Sequence, residues 1–307
     1  MSEAKTAAPP TLSPSRMPGL DLVRALRPRQ WSKNVLVAAA PLSAGTIATR
    51  GIPTAVLVAF VAFCLASSAG YLINDVRDVE SDRLHPTKRL RPIAAGQLSR
   101  TVALVTAGVL AIAAVVGSWW LNSGALAGVV VGYLALTLAY SAGLKRQPVI
   151  DLAVVASGFL IRAVAGGVAS GVPLSDWFLL AASFGSLFMV AGKRYSDVVA
   201  RAALADADTR WQGVPYTASY LRFVWTVAAG ATIVVYALWS RDVGVARDGA
   251  GWAQASLAPF VLAILRYAVV VDAGQAGAPE DVVLADRGLQ LLGVAWLLCF
   301  AMAAHVL

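Results

Sequence analysis

The sequence predicts an all-α fold, a polytopic membrane bundle of about nine transmembrane helices. Three observations carry that expectation. Of 307 residues, 58% are hydrophobic and only 14% are charged, where a soluble domain would carry about a quarter charged residues. Mean hydropathy is +0.69. Apolar runs of about 20 residues, each long enough to cross a bilayer, recur along the chain.

Residues 1–19 hold four prolines among Ser, Thr and Ala and no apolar core. They read as a disordered tail without the hydrophobic region of a signal peptide. From Leu20 to Lys33, apolar Leu20, Val23 and Leu26 alternate with Arg24, Arg27, Arg29 and Lys33, and Trp31 sits among them. That pattern suits a short amphipathic segment at head-group level. Spans follow at 34–50, 54–76, 99–121, 124–141, 149–170, 174–193, 221–240, 252–272 and 288–306. Residues 20–307 form one membrane domain.

Twenty of the 25 Lys and Arg residues fall on the side of the tail, and three, Arg50, Arg241 and Arg247, on the other. The positive-inside bias therefore predicts a cytoplasmic N-terminus, with both long polar loops, 77–98 and 194–220, on that face. The net charge of +8 has the same source. No nucleic-acid recognition element accompanies it, so nucleic acid is not expected as a partner. Cys64 and Cys299 lie in apolar runs as small hydrophobes. Two histidines, His85 and His305, are too few for a histidine metal site.

The chemistry concentrates in one stretch. Asn74-Asp75-Val76-Arg77-Asp78-Val79-Glu80-Ser81-Asp82 directly follows an apolar span. On a continuous helix Asn74, Asp78 and Asp82 stack at i, i+4 and i+8, with Asp75 beside the line. Carboxylates one turn apart repel, so the stripe calls for a cation. Hard oxygen donors favour Mg²⁺ or Ca²⁺, and Mg²⁺ commonly completes its shell with substrate phosphates. Lys88, Arg89, Arg91 and Arg100 follow closely and suit anions.

Further candidates come from other spans. Arg162 lies mid-span, where a charge costs at least about 2.5–3.5 kcal/mol. It either faces a wet cavity, together with Asp151 on the same helix face, or binds helix carbonyls. Tyr140 and Lys145 end one span, and Lys193, Arg194 and Asp197 end another on the same face. Phosphate binding and ordinary membrane-interface placement both fit these residues.

Taken together, Arg27-Pro28-Arg29-Gln30-Trp31-Ser32-Lys33-Asn34, the acidic run from Asn74 to Asp82, Arg91-Pro92-Ile93-Ala94-Ala95-Gly96 and Tyr140-Ser141 with Lys145 resemble the UbiA-like family of intramembrane prenyltransferases. One departure is informative. Members using prenyl diphosphates carry a second aspartate-rich motif after the sixth span, where this chain offers Lys193-Arg194 and the single acid Asp197. With the runs from Ile161 and Phe184, it resembles the branch that transfers 5-phosphoribose from phosphoribosyl pyrophosphate to a polyprenyl (decaprenyl) phosphate for bacterial cell-wall arabinan.

That resemblance implies a multi-pass protein of the inner (plasma) membrane with a cytoplasmic site and Mg²⁺ as cofactor. It implies Asn74, Asp78 and Asp82 as catalytic metal ligands, with Asp75 in support. Lys33, Arg77, Lys88, Arg91, Tyr140, Lys145, Arg162, Lys193, Arg194 and Asp197 would contact donor or acceptor. A homo-oligomer is compatible with it. The competing readings are an aromatic prenyltransferase, which would want the second acid cluster, and a transporter, which would want several ionisable groups near the midplane.

Overall fold

The computed structural model describes residues 18–85, 87–203, 216–246 and 250–303. The predicted tail up to residue 17, His305, and Asp206 and Asp208 of the second long polar loop lie outside these residues. Among the described residues every regular element is helical.

An amphipathic helix α1 (Pro18–Leu26) leads through Arg27 into a 3-10 segment, Pro28–Ala38, and one helical turn, α2 (Ala39–Ser43). The predicted span at 34–50 is therefore no continuous transmembrane helix. Pro28 and Pro41 withhold backbone donors, and Gly45 and Gly51 turn the chain with positive φ. The 3-10 segment instead lies directly on α7 (Ile150–Ser170). At the contact a Cβ on Gly166 would stand 1.7 Å from the Val37 carbonyl oxygen, so only glycine lets the two backbones meet.

The long helices are α3 (Ile52–Arg77), α5 (Arg100–Leu121), α6 (Gly124–Ala142), α7, α8 (Asp176–Ala203), α9 (Ala218–Ala246), α11 (Leu257–Asp272) and α13 (Arg287–Ala303). Short helices α4 (Val79–Leu84), α10 (Ala250–Ala255) and α12 (Pro279–Ala285) interrupt them. Six segments are long and apolar enough to cross a membrane, and α13 is a shorter apolar helix. The expected nine thus becomes six such segments among the described residues.

Local chemistry explains the helix starts. Ser99 and Ser123 each accept the backbone N–H three residues on, capping α5 and α6, and Pro53 stands in the first turn of α3. Outward faces stay apolar: Val109, Ile112, Trp120 and Leu291 are exposed, as bilayer-facing residues must be.

Neighbouring helices pack in chain order, α3 on α5 and α6, α6 on α7, α7 on α8, and α8 on α9, with α11 and α13 closing against them. One apolar cluster joins α7, α8, α9 and α11 around Leu152, Phe188, Leu221 and Val271. A second joins the 3-10 segment, α3, α6 and α7 around Phe63, Leu126 and Val130. The third ties α1, α3 and α5 together through Ala25, Leu72 and Ala107. This last cluster fixes the end of α3, where the acidic run begins.

Candidate active site

The acidic run is not one straight stripe. α3 ends at Arg77 and α4 starts at Val79, with Asp78 between them at φ −94° and ψ 5°. Backbone bonds from Asp78 N–H to the Asn74 carbonyl and from Asp82 N–H to the Asp78 carbonyl carry the helical path through this junction. The bend separates the carboxylates into two environments.

Asp75 and Asp82 point inward. Asp75, expected only as support, is 2% exposed and the more heavily engaged. Arg27 Nη2 donates to both of its oxygens at 2.6 and 2.9 Å, and Arg91 Nη1 donates to Oδ1 at 3.1 Å. The same Arg91 nitrogen donates to Asp82 Oδ2 at 2.6 Å. Arg91 therefore ties the two ends of the run together. Burial pushes the Asp82 carboxyl above its ordinary range, and Arg91 opposes that shift.

Asn74 and Asp78 face α6. Ser141 Oγ donates to Asn74 Oδ1 at 3.2 Å, and Lys145 Nζ donates to Asp78 Oδ1. Asp78 remains a quarter exposed. Lys88 is exposed but stands close enough to feel Arg91, Asp82, Asp78 and Arg194; partial loss of water among these neighbours, then the Arg91 charge, push its ammonium down. Arg77 is exposed.

Across the mouth, Arg194 on α8 donates to Asp151 Oδ2 at 2.9 Å and hydrogen-bonds Tyr140, which also senses Asp78. Tyr140 thus sits between the acidic run and Arg194. Lys193 donates to the Gly277 carbonyl, Lys33 donates to Gln30 Oε1, and Asp197 is half-buried near Gly277. Asn74, Asp78, Lys88, Tyr140, Lys145 and Arg194 are therefore brought to one face.

Arg162 is placed elsewhere. It is 6% exposed and donates to Asn34 Oδ1 at 2.7 Å, the Gly158 carbonyl at 2.5 Å and Tyr133 Oη at 3.0 Å. Rings of Phe63, Tyr133 and Phe159 surround its guanidinium. Helix periodicity put it on the face of Asp151, but the 3-10 segment covers that position and turns it into an internal polar knot.

Beside the mouth lies a cavity of about 1150 Å³. Its rim carries Arg29, Ser32, Lys33, Lys193, Arg194 and Asp281, while Phe159, Phe188, Met189 and Tyr267 line the wall. Tyr236, Trp239, Phe260, Trp296 and Phe300 close its depth. Tyr236 stacks on Phe260 with centroids 3.9 Å apart, and Trp239 on Phe300 at 5.5 Å. At 1.5 Å per residue, Tyr236 is roughly 27 Å along α9 from Ala218, so the cavity runs deep into the apolar layer. A charged rim above a long apolar chamber suits a molecule with an anionic head and a hydrocarbon tail.

A divalent cation fits the accessible part of the acidic run by donor chemistry. Among the described residues no three Asp, Glu, His or Cys side chains form a ready-made ligand cage. Mg²⁺ needs less, because one or two carboxylates plus substrate phosphates complete its shell. Asp78, with the amide oxygen of Asn74 one turn earlier, supplies hard oxygens at an accessible place.

Sequence reasoning named Asp151 only as a companion of Arg162 at a wet cavity and gave Arg27 and Tyr216 no working part in this region. Arg27 has φ 56° and ψ 59°, a left-handed conformation uncommon outside glycine, and this turns its side chain onto Asp75. Its place in the quoted basic segment was visible, but its partner was not.

Residues 35–289 match the model of the UbiA prenyltransferase family. The chain is 51% identical over 301 residues to the decaprenyl-phosphate phosphoribosyltransferase of Mycolicibacterium smegmatis, covering 94% of each chain. It is 53% identical over 282 residues to the protein of that name from Mycobacterium tuberculosis, covering 90% of this chain and 91% of the relative. Its fold is similar to a UbiA homologue from Archaeoglobus fulgidus solved with DMAPP and Mg²⁺, with a TM-score of 0.70 and 16% identity, over 93% of this chain and 98% of that one.

Proposed function

We propose that this chain, which belongs to the UbiA prenyltransferase family, moves 5-phosphoribose from phosphoribosyl pyrophosphate to decaprenyl phosphate and releases pyrophosphate. The near full-length identity to decaprenyl-phosphate phosphoribosyltransferases carries this reading. It makes the protein a membrane pentosyltransferase, and its lipid product would feed cell-wall arabinan.

The geometry supports such a transfer. The bond from ribose C1 to the pyrophosphate oxygen breaks, and an oxygen of the lipid phosphate bonds to C1 from the opposite face, inverting the anomeric centre. A phosphate monoester is already a nucleophile, so positioning supplies most of the acceleration. Lys145, Lys88 and Arg91 stand beside the acidic run, where preorganised cations would meet the charge developing on pyrophosphate. Lys193, Arg194 and Lys33 hold the cavity rim for the donor's 5-phosphate and the lipid phosphate. Tyr140 lies between these poles, and Asp197 would orient a ribose hydroxyl or the metal's shell. The polyprenyl tail would fill the apolar chamber. Arg162 lies behind Phe159, which faces the chamber, and would hold that wall in place.

Mg²⁺, when bound, would neutralise pyrophosphate charge, with Asn74 and Asp78 holding it, Asp82 joining them on release from Arg91, and Asp75 behind. The positive-inside count supports a site on the cytoplasmic side, and the reading puts the protein in the inner membrane.

The test is direct. Purified protein is incubated with Mg²⁺, phosphoribosyl pyrophosphate and decaprenyl phosphate, and the lipid fraction is analysed by mass spectrometry. Phosphoribosylated lipid and equimolar pyrophosphate are expected. Inactivity with this pair, combined with prenyl transfer from a prenyl diphosphate to an aromatic acid, would replace the reading.

A further inference from the structure

A chain of contacts behind Arg194 ends at a strained backbone position. Asp151, in the first turn of α7, is 1% exposed, yet it is a carboxylate inside a membrane protein. Two donors reach it: Arg194 Nη2 at 2.9 Å on Oδ2 and the Tyr216 hydroxyl on Oδ1. Tyr216 Oη in turn accepts the Val149 N–H at 2.7 Å. Val149 has φ 66° and ψ −46°, a conformation that β-branched residues strongly disfavour. The Tyr216 ring is fixed independently, stacked on Tyr220 at 5.4 Å with planes 8° apart.

The order of these contacts matters. A carboxylate with one cationic partner can swing with it, whereas one held at its second oxygen by a fixed phenol presents a defined seat. The phenol is a dependable donor, because burial and the bond to Asp151 raise its pKa above the ordinary range. Arg194 reaches the rim of the apolar cavity and touches Tyr140 beside the acidic run. Its side chain is about a quarter exposed, so one side of the guanidinium is seated on protein and another faces the mouth.

We propose that Tyr216 is a positioning residue for the donor site: acting through Asp151, it orients the Arg194 guanidinium toward the phosphate of the phosphoribosyl donor. This rests on the transfer reading above, in which Arg194 meets that phosphate. Tyr216 touches no reacting atom. It sets the direction of the group that does.

The experiment uses the full chain in detergent with Mg²⁺, measuring phosphoribosyl pyrophosphate affinity by calorimetry, KM for both substrates, kcat and Tm. Tyr216→Phe removes one oxygen and keeps the stacking on Tyr220, so the fold should survive. The donor KM should rise about tenfold, the scale of one hydrogen bond to a charged group, with kcat and lipid KM nearly unchanged and Tm lowered by the bond lost to buried Asp151. Arg194→Gln should weaken donor binding by itself, and adding Tyr216→Phe to it should change nothing more. Val149→Gly, which relieves the strained turn, should not restore the donor KM of Tyr216→Phe. Rescue by Val149→Gly would show that Tyr216 only secures the turn, and additive losses in the double variant would show that it acts apart from Arg194. An unchanged donor KM in Tyr216→Phe overturns the proposal while leaving phosphoribosyl transfer intact. If Arg194→Gln binds the donor like wild type, the assignment of Arg194 falls and this proposal with it. Absence of transfer in the unaltered protein would instead overturn the functional reading.

Discussion

Replacing Arg162 with lysine separates two roles that the sequence left open. The guanidinium makes three hydrogen bonds, to Asn34, Gly158 and Tyr133, at a site almost closed to solvent. Lysine keeps the charge but not the planar fork, and its ammonium can reach about one of these well-separated acceptors. Two bonds from a charged donor are lost, each worth about 1.5–3 kcal/mol, which puts the loss of stability at about 3–6 kcal/mol. The lower end is favoured, because the amide of Asn34 retains contact with Cys64 and the three rings still face a cation. Thermal unfolding in detergent, followed by loss of soluble monodisperse protein, should therefore show a large drop in Tm. Activity per folded molecule at low temperature, and the KM for phosphoribosyl pyrophosphate, should stay within about threefold of wild type, because this loss belongs to folding and not to binding. An Arg162→Lys protein with wild-type Tm and a donor KM raised tenfold or more would refute this reasoning and return the residue to substrate contact.

Other expectations concern the acidic run and the close helix contact. Asp78→Asn should lower turnover by orders of magnitude with little change in Tm, since Asp78 is partly exposed; near-normal Mg²⁺-dependent turnover would remove it from the site. Arg27→Ala should destabilise by about 2–4 kcal/mol, because buried Asp75 then keeps only Arg91 and breaking buried pairs costs about 3–5 kcal/mol before water enters; chemical denaturation of a Phe or Trp signal measures this. The Asp82 pKa is raised, so on acidification its carboxylate is protonated and its charged contact with Arg91 lost at a higher pH than an ordinary Asp near 3.9. If ionised Asp82 serves the reaction, the acid limb of kcat/KM should begin correspondingly early, and in Asp82→Asn that limb should vanish with most of the activity. Gly166→Ala should prevent stable folding, since its Cβ would overlap the Val37 carbonyl; a well-expressed, monodisperse variant in size-exclusion chromatography would contradict the packing of the 3-10 segment on α7.

The sequence by itself determined the membrane class, the helical architecture and the identity of the acidic run and its attendant cations. These properties are local. Bilayer crossing depends on the composition of about 20 consecutive residues, and the one-turn spacing of Asn74, Asp78 and Asp82 is read from the sequence, but their division between two environments is not. The polar character of Arg162 was equally plain, as was the departure at Lys193-Arg194.

Only the tertiary structure decided which charges meet. Arg27 reaches Asp75 across 48 positions, Lys145 reaches Asp78 across 67, Tyr216 reaches Asp151 across 65, and Arg162 reaches Asn34 across 128. Periodicity gives a direction around one helix axis but says nothing of what packs there. For Arg162 the deciding element was a segment that looked like a span and folded instead as a 3-10 stretch. Backbone contact at Gly166 brings Asn34 onto the guanidinium, and that contact gives the buried cation a partner from a distant part of its own chain.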